Sequence, residues 1–157
     1  MRQQRLISVC PYLLIACFLS GCGAPAGNTA EADAVAAILK LGGKVEYSEI
    51  NPDRPVLKVY LHSTKVQDAD LAALEKLPRL QNLFLGRTKI SDAGLGHLQK
   101  ASHLETLSLN STAVTDDGIK RLSHLKNLKT LNLQETKVTE AGVKELKQAL
   151  PGLTIAR

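Results

Sequence analysis

The sequence predicts an α/β solenoid, a stack of strand, turn and helix units with parallel strands on a concave face and helices on the convex face. Three observations carry this expectation. Rows of 24 residues written from Val56 align four segments, 56–79, 80–103, 104–127 and 128–151, without a gap. Within each row apolar residues first alternate and then recur three apart, the spacings of a strand followed by a helix. Aromatics make up only 3% of the chain and tryptophan is absent, so the core must be built from Leu, Val, Ile and Ala, which suits narrow layers of repeated shape.

Composition sets the outer bounds. A chain of 157 residues that is 44% apolar has room for one domain with its own core. The formal charge of +5 falls to +3, 18 basic residues against 15 acidic, once Arg2 and Arg5 leave with the first 21 residues. That balance is too mild to imply a nucleic-acid partner. Cys10, Cys17 and Cys22 are the only cysteines, so everything after residue 22 lacks a thiol for a disulfide, a metal cluster or a nucleophile.

Residues 1–21 have the three parts of a secretory signal: Arg2 and Arg5, an apolar run from Tyr12 to Leu19, then small residues. The run is far shorter than the roughly 20 residues that a spanning helix needs. Leu19-Ser20-Gly21-Cys22 resembles the lipobox of bacterial lipoproteins, and that resemblance implies cleavage before Cys22 and acylation of it. More than one acyl chain anchors stably, since each buried methylene contributes roughly 0.8 kcal/mol. Cys22 is thus the expected lipid attachment point, residues 22–29 a tether, and the cell envelope the expected location. Gly23 to Asn28, GAPAGN, has nothing to bury.

Residues 30–55 are expected to cap the array. Asn28 or Thr29 can start a helix running to about Leu41, with Val35, Ile38, Leu39 and Leu41 as its apolar stripe and Gly42-Gly43 as its stop. Lys44 to Glu49 alternates, with Val45 and Tyr47 on one side, before Asn51-Pro52-Asp53-Arg54-Pro55 turns the chain.

From Val56 the columns are regular. The first holds Val56, Leu80, Leu104, Leu128; the fourth Val59, Leu83, Leu107, Leu131; the sixth Leu61, Leu85, Leu109, Leu133. The ninth is Thr64, Thr88, Thr112, Thr136, expected to form a ladder in which stacked hydroxyls donate and accept between neighbouring repeats. Ser91, Thr115 and Thr139 stand where they cap a helix, each followed by an acidic residue favoured by the helix dipole. Leu71, Leu95, Ile119, Val143 and, three further on, Leu74, Leu98, Leu122, Leu146 form the inner helix face. Leu150 to Ile155 looks like a fifth, truncated strand displaced by one residue.

The pattern LxxLxLxxTxxTDxGLxxLxxL resembles the leucine-rich-repeat family, seen in Leu104, Leu107, Leu109, Thr112, Thr115, Asp116, Gly118, Ile119 and Leu122. The resemblance covers residues 56–157. It implies a solenoid whose function is binding or scaffolding of a protein partner. Two positions depart from the pattern: Thr replaces the usual Asn of the ladder, and the first repeat has Asp70 where the others have Gly94, Gly118 and Gly142.

Catalytic constellations are missing from the sequence, and neither a cofactor nor a metal is expected. His62, His97, His103 and His124 fall in different columns without a metal-ligand spacing and are expected to be solvated. Gly94 and Gly96 lack the third glycine of a dinucleotide fingerprint, Asn110-Ser111-Thr112 is a chance sequon, and Asp116-Asp117 is accounted for by the helix dipole. Lys65, Lys89 and Lys137 share a column and are expected to keep a face soluble.

The functional face is expected where strand side chains point outward from the concave surface. The third column is Lys58, Asn82, Thr106, Thr130; the fifth is Tyr60, Phe84, Ser108, Asn132; the seventh is His62, Gly86, Asn110, Gln134. Tyr60 beside Phe84, with His62 and Arg87 near and Asn110 and Gln134 further along, has the composition of a recognition hot spot. Two arrangements stand open: the rings face solvent, or the cap folds over them through Tyr47. The alternative function is a purely structural envelope protein that self-associates through Leu153 to Arg157.

Overall fold

The computed structural model describes residues 29–51 and 53–157. The signal segment, the lipobox pattern at Cys22 and Asn28 as a helix cap lie outside the described residues. Helix α1 (Thr29–Lys40) leads into β1 (Lys44–Tyr47) and β2 (Val56–Tyr60). A 3₁₀ segment, Asp68–Lys76, follows, then β3 (Asn82–Phe84), α2 (Asp92–Leu95) continued as 3₁₀ through Lys100, β4 (Thr106–Ser108), α3 (Asp116–Lys120), β5 (Thr130–Asn132), α4 (Glu140–Ala149) and β6 (Thr154–Ala156).

The six strands form one sheet in chain order. From β2 to β6 every pairing is parallel and displaced by 24 residues, as in Leu83 beside Leu107 and Leu131 beside Ile155. The expected solenoid is therefore the observed one. The displacement expected at the last strand is corrected: Ile155 keeps the fourth-column register, and only Leu153, buried one position later than its counterparts, departs from it.

The strands β3, β4 and β5 each bury their central residue and leave the flanking residues partly or fully exposed. Val59, Leu83, Leu107 and Leu131 point into one continuous core with Leu61, Leu85, Leu109 and Leu133 and the helix residues Leu71, Leu95, Ile119 and Leu146. At roughly 25 cal/mol per Å² of apolar surface removed from water, burying one such side chain stabilises by about 1.5–3 kcal/mol. A single repeat has no second layer to bury against, so stacking is what makes the array stable.

The threonine ladder is not the one expected. Thr64, Thr88, Thr112 and Thr136 each donate within their own repeat, to the carbonyl three residues back (Leu61, Leu85, Leu109 and Leu133), at 2.6–2.7 Å. Each hydroxyl thereby satisfies a carbonyl at the inward turn instead of stitching neighbours together. Stitching is done by the aspartates. The Asp68 carboxylate accepts from both the backbone N–H and the hydroxyl of Ser91, Asp92 does the same for Thr115, and Asp116 for Thr139, all at 2.5–2.8 Å. Hydrogen bonds to a charged acceptor are about twice as strong as neutral ones.

This second ladder accounts for the glycine column. A β-carbon on Gly94, Gly118 or Gly142 would overlap the carboxylate of Asp68, Asp92 or Asp116 respectively. Before the first repeat the position equivalent to Asp68 is Lys44, so Asp70 fits there, and its carboxylate accepts the Gln67 N–H at 2.8 Å.

The N-terminal cap packs as a helix and a strand. Ala34 and Ile38 of α1 are buried, while Leu39, expected in the apolar stripe, is 54% exposed. Glu31 of the helix accepts the Val56 N–H at 2.8 Å and so ties α1 to β2. β1 runs antiparallel to β2, with Glu46 opposite Lys58 and a bulge before Tyr47. None of the described helices is long and apolar enough to cross a membrane.

Candidate functional site

The parallel register sets Tyr60 against Phe84 and Phe84 against Ser108 on the concave face. Neighbouring strands lie ~4.8 Å apart, which is stacking distance for rings in one column. The Tyr60 and Phe84 rings stack with centroids 4.9 Å apart and planes 3° from parallel. His62 meets Tyr60 edge-on at 6.5 Å. Such aromatic pairs contribute about 0.5–1.5 kcal/mol beyond the area they bury. The next residue in the column is the small Ser108, so the far side of Phe84 is left open.

That opening is a hollow of about 260 Å³, lined by His62, Phe84, Gly86, Arg87, Ser108 and Asn110. The Asn110 amide lies over Gly86, where a β-carbon would overlap it, and its Oδ1 accepts from Ser108 Oγ at 2.9 Å. The Arg87 side chain is exposed, and its backbone is left-handed with φ 57°, as are those of Ser63, Ser111 and Glu135 in the same column. Holding a non-glycine residue there costs roughly 1–2 kcal/mol. The conformation turns the N–H groups of Ser63, Arg87 and Ser111 onto the carbonyls of Gly86, Asn110 and Gln134 in the next repeat, at 2.8–2.9 Å.

The cap stands beside the rings and does not fold over them. Tyr47 lies opposite Val56, 42% exposed, with the Arg54 guanidinium 5.9 Å from its ring centroid. Glu46 instead reaches the site from β1: its carboxylate accepts from the Tyr60 hydroxyl at 3.0 Å and pairs with Lys58 Nζ at 2.8 Å. The Glu46 carboxyl is held below its ordinary value by the hydrogen bond from Lys58 and then by that from Tyr60. The same bonds to Glu46 push the Lys58 ammonium and the Tyr60 phenol up. Tyr60 and Phe84 end half-buried, with Tyr60's polar end occupied.

Residues 100–123 and 124–147 each match the family model described as a leucine rich repeat. The fold is a leucine-rich-repeat solenoid. The chain is similar to internalin C2 of Listeria monocytogenes at 26% identity over 54% of this chain and 34% of that one, with a TM-score of 0.46. It is also similar to a leucine-rich-repeat protein of Leptospira interrogans at 19% identity over 66% of this chain and 26% of that one, with a TM-score of 0.53. The chain thus spans about a third and a quarter of these two proteins. No curated protein sequence matches it.

Of the residues expected on the functional face of the leucine-rich repeats, His62, Phe84, Arg87 and Asn110 surround the hollow, and Tyr60 stacks behind Phe84. Gln134 is exposed one repeat further on, where its N–H donates to Asn132 Oδ1 at 3.0 Å. Ser108, Gly86 and Glu46 were not singled out by the sequence. The first two stand in the outward-facing columns and could have been found there, whereas Glu46 enters through an antiparallel register that a bulge sets. His97 differs from the solvated residue expected: it is half-buried, and its Nδ1 lies 2.9 Å from Glu75 of the preceding repeat.

Proposed function

We propose that this chain is an envelope-anchored leucine-rich-repeat module that binds or scaffolds a protein partner, held by acylated Cys22 and using the concave face around Tyr60 and Phe84. The observation that carries the reading is the stacked ring pair beside a polar-walled hollow. Half-buried aromatics next to an arginine are the composition of interface anchors, which lose their remaining water on binding. The anchor rests on the sequence pattern at residues 1–22 alone. The step from fold to binding is supported by the repeat architecture, and the site on it is argued from its own geometry.

Affinity capture from solubilised envelope tests this, with chain acylated at Cys22 as bait beside a Tyr60→Ala, Phe84→Ala variant. A partner retained by the native face and lost from the variant is the expected result. The same proteins recovered by both baits would remove the concave face from the reading.

A second reading, self-association as a structural envelope protein, is favoured by the far end of the solenoid. There β6 is the edge of the described sheet, and α4 carries a surface depression of about 400 Å³ containing the half-buried Val143. A strict monomer across a wide concentration range in sedimentation overturns it.

A further inference from the structure

The charges on the two sides of the concave sheet are arranged differently. On the side where the chain enters the strands, Lys58 pairs with Glu46 and Lys129 with Glu105, both at 2.8 Å, while Arg54 lies over the Tyr47 ring and Lys126 reaches the carbonyls of Ser123 and Ala149. On the side where it leaves them, the turns 62–67, 86–91, 110–115 and 134–139 carry Lys65, Arg87, Lys89 and Lys137 with one carboxylate of their own, Glu135, while the Asp68, Asp92 and Asp116 carboxylates at the helix starts that follow are engaged by Ser91, Thr115 and Thr139. The Glu135 carboxylate accepts from Ser111 Oγ at 2.6 Å. Among the described residues none of the four cations takes part in an ion pair, and all four are exposed. Arg87 belongs at once to this basic rim and to the hollow beside Phe84.

We propose that the concave face binds an acidic, extended peptide segment of its partner, with carboxylates on Lys65, Arg87 and Lys89 and an apolar or aromatic side chain seated against Phe84. The proposal rests on the concave-face reading above and adds the chemistry of the occupant. Charge complementarity sets the sign, because the unpaired Arg87 beside Phe84, with Lys65 and Lys89 on the same turns, attracts carboxylates and repels basic segments. Shape sets the class. The hollow, about 260 Å³, lies along a ladder of strands, which suits an extended chain with one anchor, whereas a bilayer plane meets the edges of a concave surface and not its floor. Arg87 supplies the planar fork that matches a carboxylate.

The test is fluorescence anisotropy with the detergent-solubilised full chain and three probes: a short glutamate-rich peptide with one central tyrosine, its glutamine counterpart, and vesicles containing phosphatidylglycerol. Expected are binding of the glutamate peptide alone, weakening as salt rises, and roughly tenfold or greater loss of affinity in Lys65→Gln, Arg87→Gln, Lys89→Gln. A Lys65→Gln, Lys89→Gln variant leaves the left-handed position at Arg87 untouched and should show the same loss in smaller degree. Binding of both peptides alike, lost only in Phe84→Ala, overturns the acidic partner and leaves the concave site standing. Peptide binding indifferent to Phe84→Ala overturns the concave-face reading as well. Binding of the vesicles without the peptides, or of none of the probes, also overturns the proposal.

Discussion

The first repeat and the three that follow obey one column pattern yet are held differently. In the later repeats Ser91, Thr115 and Thr139 receive a carboxylate from the repeat before, and the glycine three residues on leaves room for it. The first repeat has no such donor of structure. Gln67 takes the place of the hydroxyl residue, Asp70 that of the glycine, and the segment winds as a 3₁₀ helix, while β1 and Glu46 cover its strand edge from the other side. Part of a repeat's signature is therefore a requirement set by its upstream neighbour. Where that neighbour is a cap, the requirement lapses.

Three substitutions sharpen this contrast. The largest effect is expected from Gly118→Val, which drives a side chain into the Asp92 carboxylate and breaks its hold on Thr115. Overpacking together with two lost charge-assisted bonds should cost about 3 kcal/mol in urea unfolding, and a cost under about 1 kcal/mol would show that the carboxylate moves aside freely. Next comes Asp92→Ala, expected to cost about 2 kcal/mol because it leaves a backbone N–H and a hydroxyl of Thr115 without their acceptor. Asp70→Ala, which removes one capping bond, should cost about 1 kcal/mol or less. Equal losses at the two positions would erase the distinction drawn between the first repeat and the rest.

The smallest effect is one of pH. The Thr139 hydroxyl, and after it the Thr139 backbone N–H, hold the Asp116 carboxyl below its ordinary value of 3.8. A group with a depressed folded value binds its proton more readily when unfolded, so its stabilisation is fully present above the ordinary value and is lost as pH falls below it. The stability gap between the native chain and Asp116→Asn should thus be constant near neutrality and narrow as pH falls below 3.8. A gap that persists unchanged in acid would mean that it does not arise from the charge of the Asp116 carboxylate.

Legibility followed locality. The spacing of Leu83, Leu107 and Leu131 was readable because alternation along a strand and a fixed period leave only one way to bury all three. The direction of the Thr88 and Thr112 hydroxyls was not, since a carbonyl within the repeat and a partner in the next satisfy the same column. Nor was the left-handed backbone at Ser63, Arg87, Ser111 and Glu135, because no glycine or asparagine marks it. At the site, the pairing of Tyr60 with Phe84 came from the column alone, whereas the hollow depended on how Asn110 folds over Gly86.

By itself the sequence determined the period, the strands and helices, the inward residues, the absence of thiols after Cys22 and the outward column in which two aromatics meet. These follow from side-chain periodicity, which acts at short range and repeats. Only the tertiary structure decided which neighbour each polar group serves: Asp92 for Thr115, Thr112 for Leu109, Glu46 for Tyr60. Such choices depend on ångström-scale offsets between stacked layers, and a hydrogen bond that fades within half an ångström is settled only once those layers are in contact.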